Sequence, residues 1–253
     1  MLKEQRYMAI CDELRRNHFV TSQELSERLG ISKSTIRRDL LDLEADGKLT
    51  RARGGAILKS PFSTEDPLAV LPETELSEKK RIALAALSYI GVNETILLSS
   101  GNTCMELAKV LHQKAPLYVA TIDIFCAAEL AKDNNIELTI VGGSIRHNHY
   151  DVVGYFAESM LRQIHADKVF MGIDAIDMNL GFMNYSSEDV TVNLMMMDAS
   201  KQTFILCDHT KFHAIAFANL CPFGRADVLI TGKEAAEEDI ALIRDKGVEV
   251  VLV

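Results

Sequence analysis

The chain has 253 residues, 48% of them hydrophobic, which excludes general disorder and leaves room for a small domain beside a larger core-bearing one. A formal net charge of −9 looks wrong for a nucleic-acid binder until it is split: residues 1–60 carry twelve Lys and Arg against nine Asp and Glu, leaving 15 basic against 27 acidic residues beyond. The front is therefore close to +3 and the remainder close to −12, so only the front favours phosphates. Five cysteines (Cys11, Cys104, Cys126, Cys207 and Cys221) form no C-x-x-C pair, which indicates neither a disulfide framework nor a zinc knuckle and fits a reducing cytoplasm. No basic-then-apolar leader is visible, and no apolar run approaches the roughly 18 residues needed to span a bilayer, so a cytoplasmic location without a membrane partner is expected.

Taken in chain order, Tyr7, Ile10, Cys11 and Leu14 share one face of a helix from about Lys3 to Asn17. Thr21-Ser22-Gln23-Glu24 reads as a capping box that starts a short helix through Leu25 and Leu29. Gly30 supplies a tight turn, and a further helix follows. At about 100° per residue, Ile36, Leu40 and Leu43 form one stripe. The opposite direction falls near Ser34 and Arg38, flanked by Arg37 and Thr35, and Ser32 and Lys33 make the polar first turn. Gly47, Arg51, Arg53 and Gly54-Gly55 then read as a two-stranded wing. The pattern predicts a winged helix-turn-helix in residues 1–57, with Ser32, Lys33, Ser34, Thr35, Arg37, Arg38, Arg51 and Arg53 contacting double-stranded operator DNA. The plainer alternative, a small helical bundle with a solvated basic face, is weakened by the wing.

The run Thr35-Ile36-Arg37-Arg38-Asp39-Leu40, followed by Leu43, Gly47, Arg51 and Gly54-Gly55-Ala56, resembles the N-terminal signature of the DeoR family of bacterial transcriptional repressors. That resemblance covers residues 1 to about 57. It implies a winged helix-turn-helix coupled to an effector domain that binds a phosphorylated sugar or related metabolite, with a fold similar to sugar-phosphate isomerases and CoA-transferases.

Residues 58–74 contain Pro61, Pro67 and Pro72, which prevent a continuous helix and suit an extended linker. From Glu75 helices and strands alternate. A helix runs to Ser88, and strands are predicted at 95–99, 117–121, 137–141, 168–173, 203–207, 227–230 and 248–253, with helices after Asn102, to Lys132, and near 155–164, 187–198 and 234–246. This is an α/β domain with a mainly parallel sheet over residues 75–253, and ligands of such sheets bind beyond the carboxyl ends of the strands.

Four segments there carry candidate chemistry. Ser99-Ser100-Gly101-Asn102-Thr103 joins a strand to a helix, and free N–H groups at a helix start suit a phosphate. The resemblance implies an Asp-x-Gly-Thr-Thr motif at this place; Ser99 and Asn102 depart from it, so the backbone cradle is kept while a carboxylate is missing. Asp208-His209-Thr210-Lys211-Phe212 is similar to the family's Asp-x-Ser-Lys-Phe motif, with Lys211 offering charge to a phosphate and Asp208 orienting it or accepting a hydroxyl; without the resemblance it reads as a surface ion pair. Glu188 resembles the family's acidic ligand position, or else simply complements a helix N-terminus. Gly142-Gly143-Ser144-Ile145-Arg146 resembles a Gly-Gly-x-x-Arg loop whose Arg146 reaches phosphate or clamps a neighbouring subunit.

His147, His149 and Asp151 alternate in that same loop, but alternate loop residues point apart, so no metal or other cofactor is expected. Lys79 matches a family lysine, although by sequence it reads as part of a solvated helix end. The effector set is thus Ser99, Gly101, Asn102, Thr103, Arg146, Glu188, Asp208 and Lys211, for a phosphorylated sugar or sugar acid. Two functions compete. One is a repressor of a carbohydrate-metabolism operon; the other is a sugar-phosphate isomerase-like enzyme using Asp208, Lys211 and Glu188 as acid and base. An isomerase needs no DNA reader, which favours the repressor. A single reader makes few contacts, so a homo-oligomer assembled through residues 75–253 is also expected.

Overall fold

The structure, a computed structural model, describes residues 3–17, 19–45, 49–52, 55–58, 73–146 and 149–253. They fall into two compact units, residues 1–63 and 64–253. Most of the linker expected at 58–74 lies outside the described residues.

The first unit runs α1 (Lys3–Asn17), β1 (Phe19–Thr21), α2 (Ser22–Leu29), α3 (Lys33–Ala45), β2 (Leu49–Ala52) and β3 (Gly55–Leu58). Its three short strands form an antiparallel sheet in the order β1-β3-β2. Ile10 and Leu14 of α1, Leu25 of α2, and Ile36, Leu40 and Leu43 of α3 close a core with Val20, Leu49 and Ala56 from the sheet. The apolar stripe read from the α3 sequence is therefore the buried one, while Ser34, Arg37 and Arg38 are exposed.

Thr21 caps α2 with a reciprocal capping box: its hydroxyl accepts from the Glu24 N–H at 3.1 Å, and its own N–H donates to the Glu24 carboxylate at 2.8 Å. Gly30 ends the helix at φ 65°, ψ 32°, where its N–H donates to the Ser26 carbonyl. A Cβ on Gly30 would meet nothing within 4 Å, so only the left-handed backbone calls for glycine here. Gly30→Ala is therefore expected to cost the first unit about 1–2 kcal/mol, and Gly30→Asn less. Urea unfolding followed by exchange protection of α2 and α3 measures this. Equal stability of the alanine and glycine proteins would contradict the left-handed turn.

The second unit contains α4 (Glu73–Ser88), β4 (Thr95–Leu98), α5 (Asn102–Val110), β5 (Leu117–Thr121), α6 (Ile124–Leu130), β6 (Ile136–Ile140), β7 (Ser144–Ile145), β8 (Val152–Val153), α7 (Tyr155–Leu161) and β9 (Ala166–Gly172). It continues through β10 (Ala175–Asp177), β11 (Gly181–Asn184), α8 (Ser187–Asp198), β12 (Ser200–Leu206), β13 (Ala218–Cys221), β14 (Val228–Thr231), α9 (Glu237–Asp245) and β15 (Glu249–Leu252). A seven-stranded sheet in the order β15-β14-β12-β9-β4-β5-β6 is parallel at every pairing.

Both faces of this sheet are covered, so its strands read as continuous apolar runs. Alternate residues serve opposite layers. Leu97, Val169, Met171, Ile205 and Leu229 pack with Ala157 and Leu161 of α7, Val192 and Met196 of α8, and Ile240 and Ile243 of α9. Ile96, Leu98, Phe170, Phe204, Leu206 and Ile230 pack with Ile82 and Ala86 of α4, Leu107 of α5 and Leu130 of α6. Among the described residues no helix is long and apolar enough to cross a membrane.

Two small features depart from the sequence reading. β10, β11 and β13 make a second, antiparallel sheet, and β7 and β8 pair as a hairpin. No strand is predicted from sequence between 168–173 and 203–207, yet Gly181–Asn184 is strand β11. All four β11 residues are buried, so the polar–apolar alternation that marks a half-buried strand is missing. Gly181 is required there, because at φ 99° a Cβ would lie 2.4 Å from the Cys221 carbonyl oxygen.

Candidate functional site

In the first unit, α3 is started by Ser32, whose hydroxyl accepts from the Thr35 N–H at 3.3 Å and lies 3.0 and 2.8 Å from the Ser34 and Thr35 hydroxyls. Lys33 donates to Gln23 of α2 at 2.9 Å. These contacts hold the polar end of α3 in place before any partner arrives. Arg37 and Arg38 project from the exposed face.

Asp39, next to them, is buried and receives a two-pronged bond from Arg6 of α1, at 2.8 and 2.9 Å. The sequence reading gave this aspartate no role. Its geometry fixes the rotation of α3, and hence the direction of the two arginines beside it. Arg51 lies on β2 opposite Ala56 of β3. The Arg51 side chain, and Arg53 entirely, lie outside the described residues.

In the second unit, connections from β4 lead through β5 to β6 toward one edge, whereas those from β9 lead through β12 and β14 to β15 toward the other. Strand order therefore reverses between β4 and β9, and a crevice opens beyond their carboxyl ends. Its cavity volume is about 60 Å³, and the crevice is open to solvent beyond that. Ser100, Gly101, Asn102 and Thr103 form one wall at the start of α5, with Gly101 at φ 109°. Gly172 ends β9 opposite them, where a Cβ would come within 3.1 Å of the Ser100 carbonyl oxygen. Lys211, in the 3-10 turn after β12, lines the same space, as does Lys79 of α4.

Of the expected effector residues, Gly101, Asn102, Thr103, Arg146 and Lys211 thus line one pocket. Ser99 stands behind the wall, buried, donating its hydroxyl to Asn193 at 3.0 Å. Asn193 in turn donates to Asn184 at 3.4 Å, and Asn184 to Asp174 at 3.2 Å. Ser99 consequently acts on the cavity through a chain of amides and does not line it.

Glu188 is also outside the pocket. It is exposed on the first turn of α8, with its N–H on the Ser186 hydroxyl, while the adjacent Asp189 is buried and lines the cavity. Helix phase explains the exchange: Asp189 shares the inward face with Val192, Asn193 and Met196. Asp208 is buried as well, and its carboxylate is bound by the Lys79 ammonium, the Thr210 hydroxyl and the Thr210 N–H. The trio Asp208, Lys211 and Glu188 that an isomerase-like reading needs is therefore not assembled.

Lys79 corrects a second expectation, since at 1% exposure it is not part of a solvated helix end. It precedes Ile82, Ala83 and Ala86 on the buried stripe of α4, a spacing that identifies it in retrospect. Glu78 beside it is buried and holds the backbone N–H of His209 at 2.9 Å and its ring nitrogen Nδ1 at 2.6 Å. Glu78, Asp208 and His209 bring potential metal-ligating atoms within 4.8 Å of one another, but the Lys79 ammonium already occupies Asp208.

Arg146 is held by both oxygens of Asp151, at 3.1 and 2.7 Å, and approaches Asp189 at 2.8 Å. Its guanidinium is therefore shared between two carboxylates, which leaves the neighbouring Asp151 ill-suited to a metal. His147 lies outside the described residues; His149 lines the pocket, and burial followed by the Arg146 charge lowers its pKa.

Burial pushes the Asp189 carboxyl up to about 8, the Asp151 charge pushes the same way, and Arg146 opposes both. An aspartate raised in the folded state binds more protons there than in the unfolded chain, so its contribution to stability falls as pH rises from the ordinary carboxylate range through about 8. Asp189→Asn is expected to flatten the decline in melting temperature between about pH 6 and 9. A decline as steep as that of the unaltered protein would show that Asp189 is ionised throughout.

Comparison with known proteins agrees with this two-part organisation. Residues 6–62 match the DeoR-like helix-turn-helix domain, and residues 74–233 match the DeoR C terminal sensor domain. The chain is 29% identical to the HTH-type transcriptional regulator GolR of Listeria innocua, covering 99% of this chain and 98% of that protein. It is 29% identical to the HTH-type transcriptional repressor GlcR of Bacillus subtilis (100% and 97% covered), and 30% identical to the transcriptional repressor AccR of Agrobacterium fabrum (83% and 81% covered). Among solved structures it is similar to the full-length sorbitol operon regulator SorC from Klebsiella pneumoniae, with TM-score 0.46, 13% identity, and 96% and 99% of the two chains covered. With both domains matched, and the sensor match alone spanning more than half its length, the chain belongs to the DeoR family of DNA-binding transcriptional repressors and is not an enzyme.

Proposed function

We propose that the protein represses a carbohydrate-metabolism operon in the cytoplasm, and that a phosphorylated sugar or sugar acid bound at the β4–β9 crevice controls its affinity for operator DNA. The observation that carries this reading is the convergence of the α5 N-terminus and two lysines on one cavity. A net charge close to −12 beyond residue 60 gives a small anion no general attraction, so local donors must select it. The far wall offers Asp174, Asn184, Asn193 and Asp189, a set suited to hydroxyl groups. Arg146, committed to two carboxylates, shapes that wall and leaves phosphate to the loop and the lysines.

Titration calorimetry with a panel of sugar phosphates and sugar acids identifies the ligand. With that ligand, Lys211→Ala should weaken binding by about tenfold or more, while operator affinity in its absence stays unchanged. A response equal to that of the unaltered protein would move the pocket elsewhere.

On the DNA side, Arg38 reads bases, and Arg37, Arg51 and Arg53 contact phosphates, with Ser32, Lys33, Ser34 and Thr35 placing the start of α3. Arg38→Ala should lose about 1–3 kcal/mol of specific binding, whereas Arg37→Ala should weaken all sequences alike and lower the salt slope. Gel shifts at several salt concentrations separate the two patterns, and unchanged operator affinity in Arg38→Ala would remove it from the reading set. The active form is a homo-oligomer assembled through residues 75–253, since paired half-sites supply the affinity that one reader lacks. Light scattering showing a monomer at micromolar concentration would contradict this.

A further inference from the structure

The outward face of α3 carries a residue that neither the core nor the charge pattern accounts for. Leu41 is 49% exposed, and among the described residues it is the one large apolar side chain that α3 leaves in solvent. At about 100° per residue it falls about 20° from Ser34, about 40° from Arg37 and about 60° from Arg38, and so points away from the stripe of Ile36, Leu40 and Leu43. The helix cannot roll to hide it. Asp39 is tied to Arg6, and Asp42 takes the Tyr7 hydroxyl at 2.6 Å and the Lys3 ammonium at 2.9 Å. These bonds fasten one flank of α3 to α1 and keep the arc from Ser34 to Leu41 outward.

Resting on the reader assignment above, we propose that Leu41 is a base-reading residue of α3 that contacts the C5-methyl group of a thymine in the major groove. Three residues advance a helix by about 4.5 Å and base pairs lie about 3.4 Å apart, so this thymine is about one to two base pairs from the base that Arg38 reads.

Chemistry decides what covers this leucine. Arg37 and Arg38 are exposed one helical turn before it, so whatever seats on Leu41 also meets two guanidinium groups. An apolar protein surface would strip water from both cations and give nothing back. A duplex offers phosphates and base acceptors to each of them and still presents an apolar group. In the major groove that group is the thymine methyl, since the other base edges there are read by their donors and acceptors. Reach agrees with this. A leucine is shorter than an arginine, so it touches a base only where the helix enters the groove deepest, and the side of α3 opposite its core stripe is that part.

Selection from a randomised duplex pool by the full-length protein supplies the probe. Thymines of the selected duplex are then replaced one at a time by deoxyuridine, which removes only the C5-methyl group and keeps the base pair. At one thymine of the recognised site this change should weaken binding of the unaltered protein about fourfold, the worth of one buried methyl group, and leave Leu41→Ala unaffected. Leu41→Ala puts a better helix former at an exposed position, so it keeps its fold, while its side chain is too short to reach the base. Selected from the same pool, it should have lost the preference for that thymine. Equal uridine penalties in the two proteins at every thymine would overturn the inference, as would an identical selected sequence. In that event a loss of specificity in Arg38→Ala leaves the reader assignment standing. If the full-length protein enriches no sequence, the reader assignment and this inference fall together.

Discussion

The sensor unit depends on one adjacency, the parallel pairing of β4 with β9. Ile96 pairs with Lys168 far along the chain, and every other pairing in the large sheet extends outward from these two strands in one direction or the other. Because the crossovers leave on opposite sides, a crevice opens at the carboxyl ends of the two strands. Backbone from both sides can approach there, and Gly172 allows it, since a side chain at that position would press on the Ser100 carbonyl. The N-terminus of α5 thereby lines that space. The cradle, the lysines and the acid–amide wall are all placed relative to this seam.

Much of this order was legible in the chain. Fully buried parallel strands are short apolar runs, and Thr95 to Leu98, Thr203 to Leu206 and Val228 to Thr231 show them plainly between helical stretches. The reader was clearer still, because Ile36, Leu40 and Leu43 are separated by near-helical intervals and the polar residues fall opposite. What was obscure has a common cause: it depends on which way a charged side chain turns. Glu188 and Asp189 are neighbouring acids at a helix start, and only the phase fixed by Val192 and Met196 decides which of them enters the cavity. Lys79 stands among Glu78, Lys80 and Arg81, so composition suggests solvent, while the apolar residues one turn later set it inward. β11 was hidden for the opposite reason, as burial of all its residues leaves no alternation to read.

The charge inventory of the cavity is more balanced than a phosphate site requires. Lys79 is answered by Asp208, and Arg146 by Asp151 and Asp189. Such closed pairs are poor sources of stability, since desolvation consumes most of their attraction, but they hold side chains in defined positions. Releasing Arg146 would leave two buried carboxylates together, a cost already visible in the raised Asp189 pKa.

The same logic separates the two arginine arrangements of the reader. Arg6 is spent on Asp39, where a planar guanidinium matched to a carboxylate fixes α1 against α3. Arg37 and Arg38 are exposed on the face that this pairing orients. An Asp between Arg38 and Leu40 would seem to oppose DNA binding, since it places a negative charge one residue from the reading surface. Its burial and its neutralisation by Arg6 remove that objection. The sequence Arg37-Arg38-Asp39-Leu40 is therefore two outward cations, one internal anchor and one core residue, and each depends on the helical phase that the anchor and the core maintain.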